Sequence, residues 1–362
     1  MDKKKYYYID FIRIFSMFAV IFLHAAADLL RVDYLKPVWH FSNVLTALFS
    51  SSVPLFFMIS GAMLISNDKS SSVSHLFKVR IKKVLFPFLF WSVFAIIYYF
   101  VTDIQYFSNW NIKGLIHRLK YFMGQPVTIH LWFMYALIPI YLLLPFIKIL
   151  IDNLNRKKTI YLFTLWAVFS VILPTLASVV TSEYKMIFAL NSKYDLSLFG
   201  GYLGFFILGY YLHIKDIKIK KRWVFAYIIL NITTVSILTY IGTKITGGYF
   251  ENFKTYSCFF TATLAISIFI LIKQLCEEIN YLKYEKIISR ISETSFAVYL
   301  MHNLIIHFMN LNYFIVPNGS ILRLISRCIV IYIICFVITA ILNRIKPLSF
   351  ISTGIKYKGL KK

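Results

Sequence analysis

Ten apolar runs decide what this chain can fold into. They lie near residues 8–28, 42–66, 83–102, 129–150, 158–178, 198–214, 222–241, 254–273, 293–311 and 322–345, separated by short polar or basic stretches. About 20 apolar residues rising 1.5 Å each cross a hydrocarbon core of about 30 Å. Lipid offers backbone amides no partner, so a spanning segment must bond internally as a helix or close into a barrel. Nothing here alternates apolar and polar residues as a barrel strand does. The predicted fold is therefore all-α, a polytopic membrane bundle of about ten transmembrane helices. The first run is too long for a signal-peptide core and lacks a small-residue cleavage site, so it is expected to stay as a span.

Composition matters at one point, the formal net charge of +24. Such an excess could mark a nucleic-acid binder, but its placement argues against that. With the amino terminus inside, 27 of the 39 Lys and Arg residues fall in cytoplasmic segments, 11 in external ones, and Arg13 within the first span. That asymmetry is what the positive-inside rule produces, and it predicts both termini cytoplasmic. The basic loops then face anionic lipid headgroups. Four cysteines, Cys258, Cys276, Cys328 and Cys335, show no metal-ligand spacing, and neither a metal site nor a disulfide framework is expected. No loop is long enough for a soluble domain and no internal repeat is visible, so residues 1–350 read as one membrane domain and 351–362 as a basic cytoplasmic tail.

Within the first span, Tyr6 to Asp28 reads YYYIDFIRIFSMFAVIFLHAAAD. Arg13 and His24 stand in it, where an ionisable side chain is costly and usually functional. They are eleven positions apart, about three turns plus 20°, so both lie on one stripe of the helix. The same geometry separates them by about 16 Å along the axis. A fixed cation and a titratable base thus share one interior face at two depths.

These residues carry a resemblance. IDFIR followed by His24 resembles the first helix of the membrane acyltransferase-3 family. SVPLFFMISG (Ser52 to Gly61) is similar to that family's FFxxSG pattern, and HLWFMYALIPIYLLLPF, FGGYLGFFILGYYL and SFAVYLMH resemble further family segments in the same order. The likeness reaches from residue 6 to residue 302 and is nearest the enterobacterial-common-antigen O-acetyltransferase type. It implies an O-acyltransferase that uses cytoplasmic acyl-CoA, most simply acetyl-CoA, as co-substrate and a cell-envelope glycan or its lipid-linked precursor as acceptor, with no tightly bound cofactor.

Acyl transfer to a hydroxyl needs a base, donors for the developing oxyanion, and cations for an anionic carrier. His24 is the candidate base, against the alternative of a packing histidine. Arg13 is the candidate catalytic and donor-binding cation, with Asp10 one turn away to fix its rotamer; snorkelling to headgroups is the alternative. Asp28, one turn past His24, reads as an interfacial carboxylate. Ser60 with Gly61 ends the second span, either packing closely against a helix or opening backbone N–H groups to the donor. Arg80 and Lys83 stand where family members carry Arg-x-x-Arg, and would hold phosphates of the carrier; a positive-inside cluster explains them almost as well. His130, Trp132 and Tyr135 at the start of the fourth span are candidate acceptor contacts or an aromatic belt. His302 is either a polar contact in the channel or a buried histidine satisfied by a carbonyl. A transporter or flippase of glycan intermediates, or an export-complex component, is the reading from another class.

Overall fold

The computed structural model describes residues 6–31, 33–102, 112–180, 201–278, 284–311 and 320–357. Residues 198–200 of the expected sixth span, 103–111 of the loop after the third, and 358–362 of the basic tail lie outside them. In chain order the helices are α1 (Tyr7–Ala26), α2 (Pro37–Phe49), α3 (Ser52–Ile65), α4 (Val73–Thr102) and α5 (Ile112–Tyr121). There follow α6 (Trp132–Leu142), α7 (Leu144–Asp152), α8 (Arg156–Val179), α9 (Gly201–Ile214) and α10 (Lys221–Thr246). The chain closes with α11 (Phe259–Glu278), α12 (Glu285–Leu311), α13 (Ile321–Leu342) and α14 (Lys346–Thr353).

Among the described residues, seven helical stretches are long and apolar enough to span a membrane, and eight if α6 and α7 form one broken span. The break falls at Leu143, between Pro139 and Pro145, where each proline removes a backbone donor. The expected ten includes two further helices. Helix α9 is apolar but spans 14 described residues, and the 27-residue α12 carries the polar His302, Asn303, His307 and Asn310 in its apolar half. The protein is a multi-pass membrane protein.

Side-chain exposure agrees with lipid as the surrounding solvent. Along α10, Phe225, Ile229, Ile237, Ile241 and Ile245 form an exposed stripe, mostly at four-residue spacing, while Val224, Ile228, Asn231, Val235 and Thr239 are buried. In water that stripe would be an aggregation hazard; in a bilayer it is the matched face.

The chain divides into two compact units. One comprises Met1–Asp68, Ile147–Ser292 and Val316–Cys328, the other Lys69–Phe146, Glu293–Ile315 and Ile329–Lys362. In the first unit, α1 packs on α2, α3 and α11, and α3 packs most extensively on α9. Lipid supplies no hydrophobic drive for helix association, so close backbone contact takes its place. A Cβ on Gly61 would stand 1.7 Å from the Phe206 carbonyl oxygen, and one on Gly209 would stand 1.9 Å from that of Met58. Neither backbone can yield, so both positions require glycine. Helices α2 and α3 meet at Ser50-Ser51-Ser52, where Ser50 and Ser51 hydroxyls donate to the carbonyls of Ala47 and Leu48, each at 2.8 Å. Such back-bonding favours a helix break.

In the second unit, α14 packs on α4. The Trp91 indole donates to the Ser352 carbonyl at 2.8 Å. Gly354 ends α14 at φ +70°, in the left-handed region that favours glycine. A Cβ there would meet the Lys83 carbonyl oxygen at 2.5 Å.

Candidate active site

Helix α1 presents two polar stations within the first unit. At its amino-terminal end, Arg13 Nη1 donates to Ser292 Oγ at 2.7 Å, and the Ser292 hydroxyl donates to Asp10 Oδ1 at 2.5 Å. Arg13 also pairs with that carboxylate oxygen at 3.5 Å. The i, i+3 spacing of Asp10 and Arg13 makes the direct contact natural on a helix. Ser292, at the start of α12, shortens the gap by bridging the two. About a third of the Arg13 side chain remains exposed, so a carboxylate holds the guanidinium in place while a face of it stays accessible. Beside this station the Tyr8 hydroxyl is hydrogen-bonded to His213 Nδ1 of α9.

His24, three turns further along α1, lines a cavity of about 420 Å³. Four separate segments complete the wall: Arg31 after α1, Thr46 and Ser50 at the end of α2, Tyr202 of α9, and the stretch from Tyr249 to Ser257 that joins α10 to α11. That volume falls within the usual range for small-molecule sites.

The joining stretch is held in place from below. Gly247 closes α10 at φ +70° with its N–H on the Thr243 carbonyl, 3.0 Å. The Phe250 N–H then bonds Thr243 Oγ1 at 3.1 Å. Phe253 joins Ala47 and Val235 in an apolar cluster against which Phe250 packs. The next residue, Lys254, is thereby drawn inward until it is 9% exposed. Its ammonium donates to Asn43 Oδ1 (2.5 Å), Thr46 Oγ1 (2.9 Å), the Asn43 carbonyl (3.0 Å) and the Tyr249 hydroxyl (3.2 Å). The Asn43 amide nitrogen donates to the Ser236 carbonyl at 2.9 Å, which leaves its oxygen turned to Lys254. Burial raises the Tyr249 phenol well above its ordinary 10.0, so it stays a neutral hydroxyl. A buried ammonium costs several kcal/mol unless its donors are satisfied, and four neutral oxygens satisfy this one.

Lys254, Tyr249, Tyr202 and Tyr256 are absent from the sequence-based site. The available signal was a lysine at the first position of the eighth apolar run, beside Asn252 and Thr255. Counted only as an external charge, it carried no hint of burial.

The other expected site residues are distributed between the units. Ser60 belongs to the first, half-buried next to Gly61, which packs on the α9 backbone. Arg80, Lys83, His130, Trp132, Tyr135 and His302 belong to the second. Arg80 stands in a π-helical turn, Leu76–Ile81, that opens α4, a local widening often found at functional sites. Arg80 is half-buried; Lys83 is exposed. His130 and His302 are both buried, 2% and 0% exposed, with ring centroids 4.6 Å apart. His130 Nδ1 lies 3.0 Å from Thr128 Oγ1 and its Nε2 3.3 Å from the Leu300 carbonyl. His302 Nδ1 lies 2.6 Å from the Tyr299 carbonyl. Trp132 is half-buried, and the Tyr135 hydroxyl donates to the Gln125 carbonyl at 3.1 Å and to that of Phe122.

A cavity walled by tyrosines, a histidine and a lysine thus lies in a unit built of apolar helices. The chain belongs to the membrane acyltransferase-3 family, whose model, an acyltransferase domain, matches residues 6–340. It is thus a membrane acyltransferase. No curated protein and no solved structure matches it.

Proposed function

We propose that the protein moves an acyl group, acetyl in the simplest case, from cytoplasmic acyl-CoA to a hydroxyl of a cell-envelope glycan or its lipid-linked precursor. The observation that carries this reading is that His24 lines a cavity of about 420 Å³ with tyrosines, Thr46, Ser50 and Lys254 in its wall while sharing a helix face with Arg13. In the reaction the acceptor oxygen bonds to the thioester carbonyl carbon and the carbon–sulfur bond breaks. His24 takes the hydroxyl proton and returns it to the departing thiolate, a task suited to an imidazole. Arg13, braced by Asp10 and Ser292, is offered to a phosphate or carboxylate with its planar fork already oriented. Arg80, Lys83 and Ser60 would add to donor binding, and His130, Trp132 and Tyr135 to the acceptor side. The resemblance to the enterobacterial-common-antigen O-acetyltransferase type supports acetyl as the group and a surface polysaccharide as its destination.

Membranes containing the protein, incubated with labelled acetyl-CoA and envelope glycan fractions, should label glycan, and the His24→Ala membranes should not. No label above that of membranes lacking the protein would overturn the reading in favour of a transporter or an export component, and equal label with both would remove His24 from the chemistry. The two sides are tested separately. With the native cysteines replaced, a cysteine at Lys120 should react with an impermeant thiol reagent from outside, and one at Lys157 only from inside. Reaction of both from one side would overturn the orientation.

A further inference from the structure

The electrostatics of the His24 cavity point to a particular kind of ligand. Among the described residues, two basic side chains, Arg31 and Lys254, and one acid, Glu251, line it. Arg31 and Glu251 are exposed and reach water, where screening weakens them. Lys254 is buried, and every group bonded to its ammonium is a neutral oxygen. Its hydrogen-bonding capacity is met by neutral groups, and Glu251, the acid of the described wall that acts on its charge, is exposed. In a site of low dielectric, charge that is only partly balanced acts on whatever fills the cavity. The tyrosines at 202, 249 and 256 add flat apolar faces with polar tips, a lining suited to a sugar ring.

Building on the acyl-transfer reading above, we infer that the cavity takes a saccharide carrying an anionic group, a carboxylate or a phosphate, which Lys254 attracts while the sugar presents a hydroxyl to His24. A neutral sugar would leave the buried ammonium only partly balanced and bind less well. The closer counter-charge comes with the ligand, because Glu251, the acid in the described part of the wall, is exposed.

The test uses the full-length protein in detergent without acyl donor, so that it reads binding alone. Glucuronic acid, glucose 1-phosphate and glucose are titrated at constant ionic strength while thermal unfolding is followed. One or both anionic sugars should raise the melting temperature at concentrations about tenfold lower than glucose requires. A response to glucuronic acid alone assigns a carboxylate, and a response to glucose 1-phosphate alone assigns a phosphate on the sugar. Lys254→Met should abolish the preference. Because that variant also strips partners from Asn43 and Thr46 and can fail to fold, two surface variants supply an independent reading. Glu251→Gln should strengthen binding of the anionic sugar by about threefold, and Arg31→Gln should weaken it by about as much. Equal effects of glucose and the anionic sugars, or anion binding indifferent to both surface variants, would overturn the inference. So would free coenzyme A producing the same Glu251- and Arg31-dependent shift, since the anion would then belong to the donor. Failure here leaves transfer onto a neutral glycan intact, whereas failure of acyl transfer shows as glycan label no higher than that of membranes lacking the protein.

Discussion

His24 and His302 are both histidines inside apolar helices, yet the protein treats them differently. His302 is fully buried, its ring against the His130 ring and its Nδ1 on the Tyr299 carbonyl. A backbone carbonyl and a second imidazole thus make up the surroundings of His302. His24 lines open volume together with tyrosines and a buried lysine from segments far along the chain. The difference teaches that polarity inside a membrane span does not by itself separate chemistry from packing. What the ring faces does.

The largest effect expected from that contrast falls on His24. Removing a general base costs about 10² to 10⁴ in rate, so His24→Gln, which keeps size and hydrogen bonding, should lose glycan acylation while the folded protein still binds acyl-CoA. Turnover near wild type for a properly inserted His24→Gln protein would place His24 with His302 as a packing group. Next in size is Arg13→Lys. A point charge cannot reproduce the guanidinium's fork to Ser292 and Asp10 together with a ligand, and losing one charge-assisted bond costs about 10- to 100-fold in kcat/KM. Full activity of Arg13→Lys in steady-state assays would reduce the residue to a headgroup contact.

Arg80→Ala sharpens the comparison on the donor side. A cation near carrier phosphates acts in ground and transition states alike, so KM for acyl-CoA should rise several-fold with kcat nearly unchanged. A collapse of kcat at saturating donor, with KM unaltered, would move Arg80 into the chemistry. The smallest kinetic effect belongs to His302. His302→Gln should lower stability by about 1–3 kcal/mol through a disturbed buried hydrogen bond, seen as a lower melting temperature, with kcat per folded molecule retained. A raised KM for the glycan at unchanged melting temperature would make His302 an acceptor contact instead.

Much of the architecture was legible in the sequence because a membrane helix satisfies its own backbone, so hydropathy along the chain is nearly sufficient to find it. The register of Arg13 and His24 was legible for the same reason, since both sit on one uninterrupted helix whose period is fixed. The two runs that fall short, α9 over its described 14 residues and α12 through the polar His302, Asn303, His307 and Asn310 of its apolar half, still fold as helices. The bridge through Ser292 was not legible, because 279 positions separate it from Arg13. Nor was the place of Tyr202 in the wall of the His24 cavity, because it lies on α9, far along the chain from α1.

Helix content, membrane residence and the polar stripe of α1 are thus properties of local sequence, set by hydrogen bonding within a segment and by transfer of apolar side chains to lipid. Burial of Lys254 is a property of the tertiary structure alone. It needs Gly247 to turn the chain, Phe250 and Phe253 to anchor it on Ala47 and Val235, and Asn43 and Thr46 of α2 to receive the ammonium. No window of sequence contains those partners together, and the cost of burying a charge depends on all of them at once.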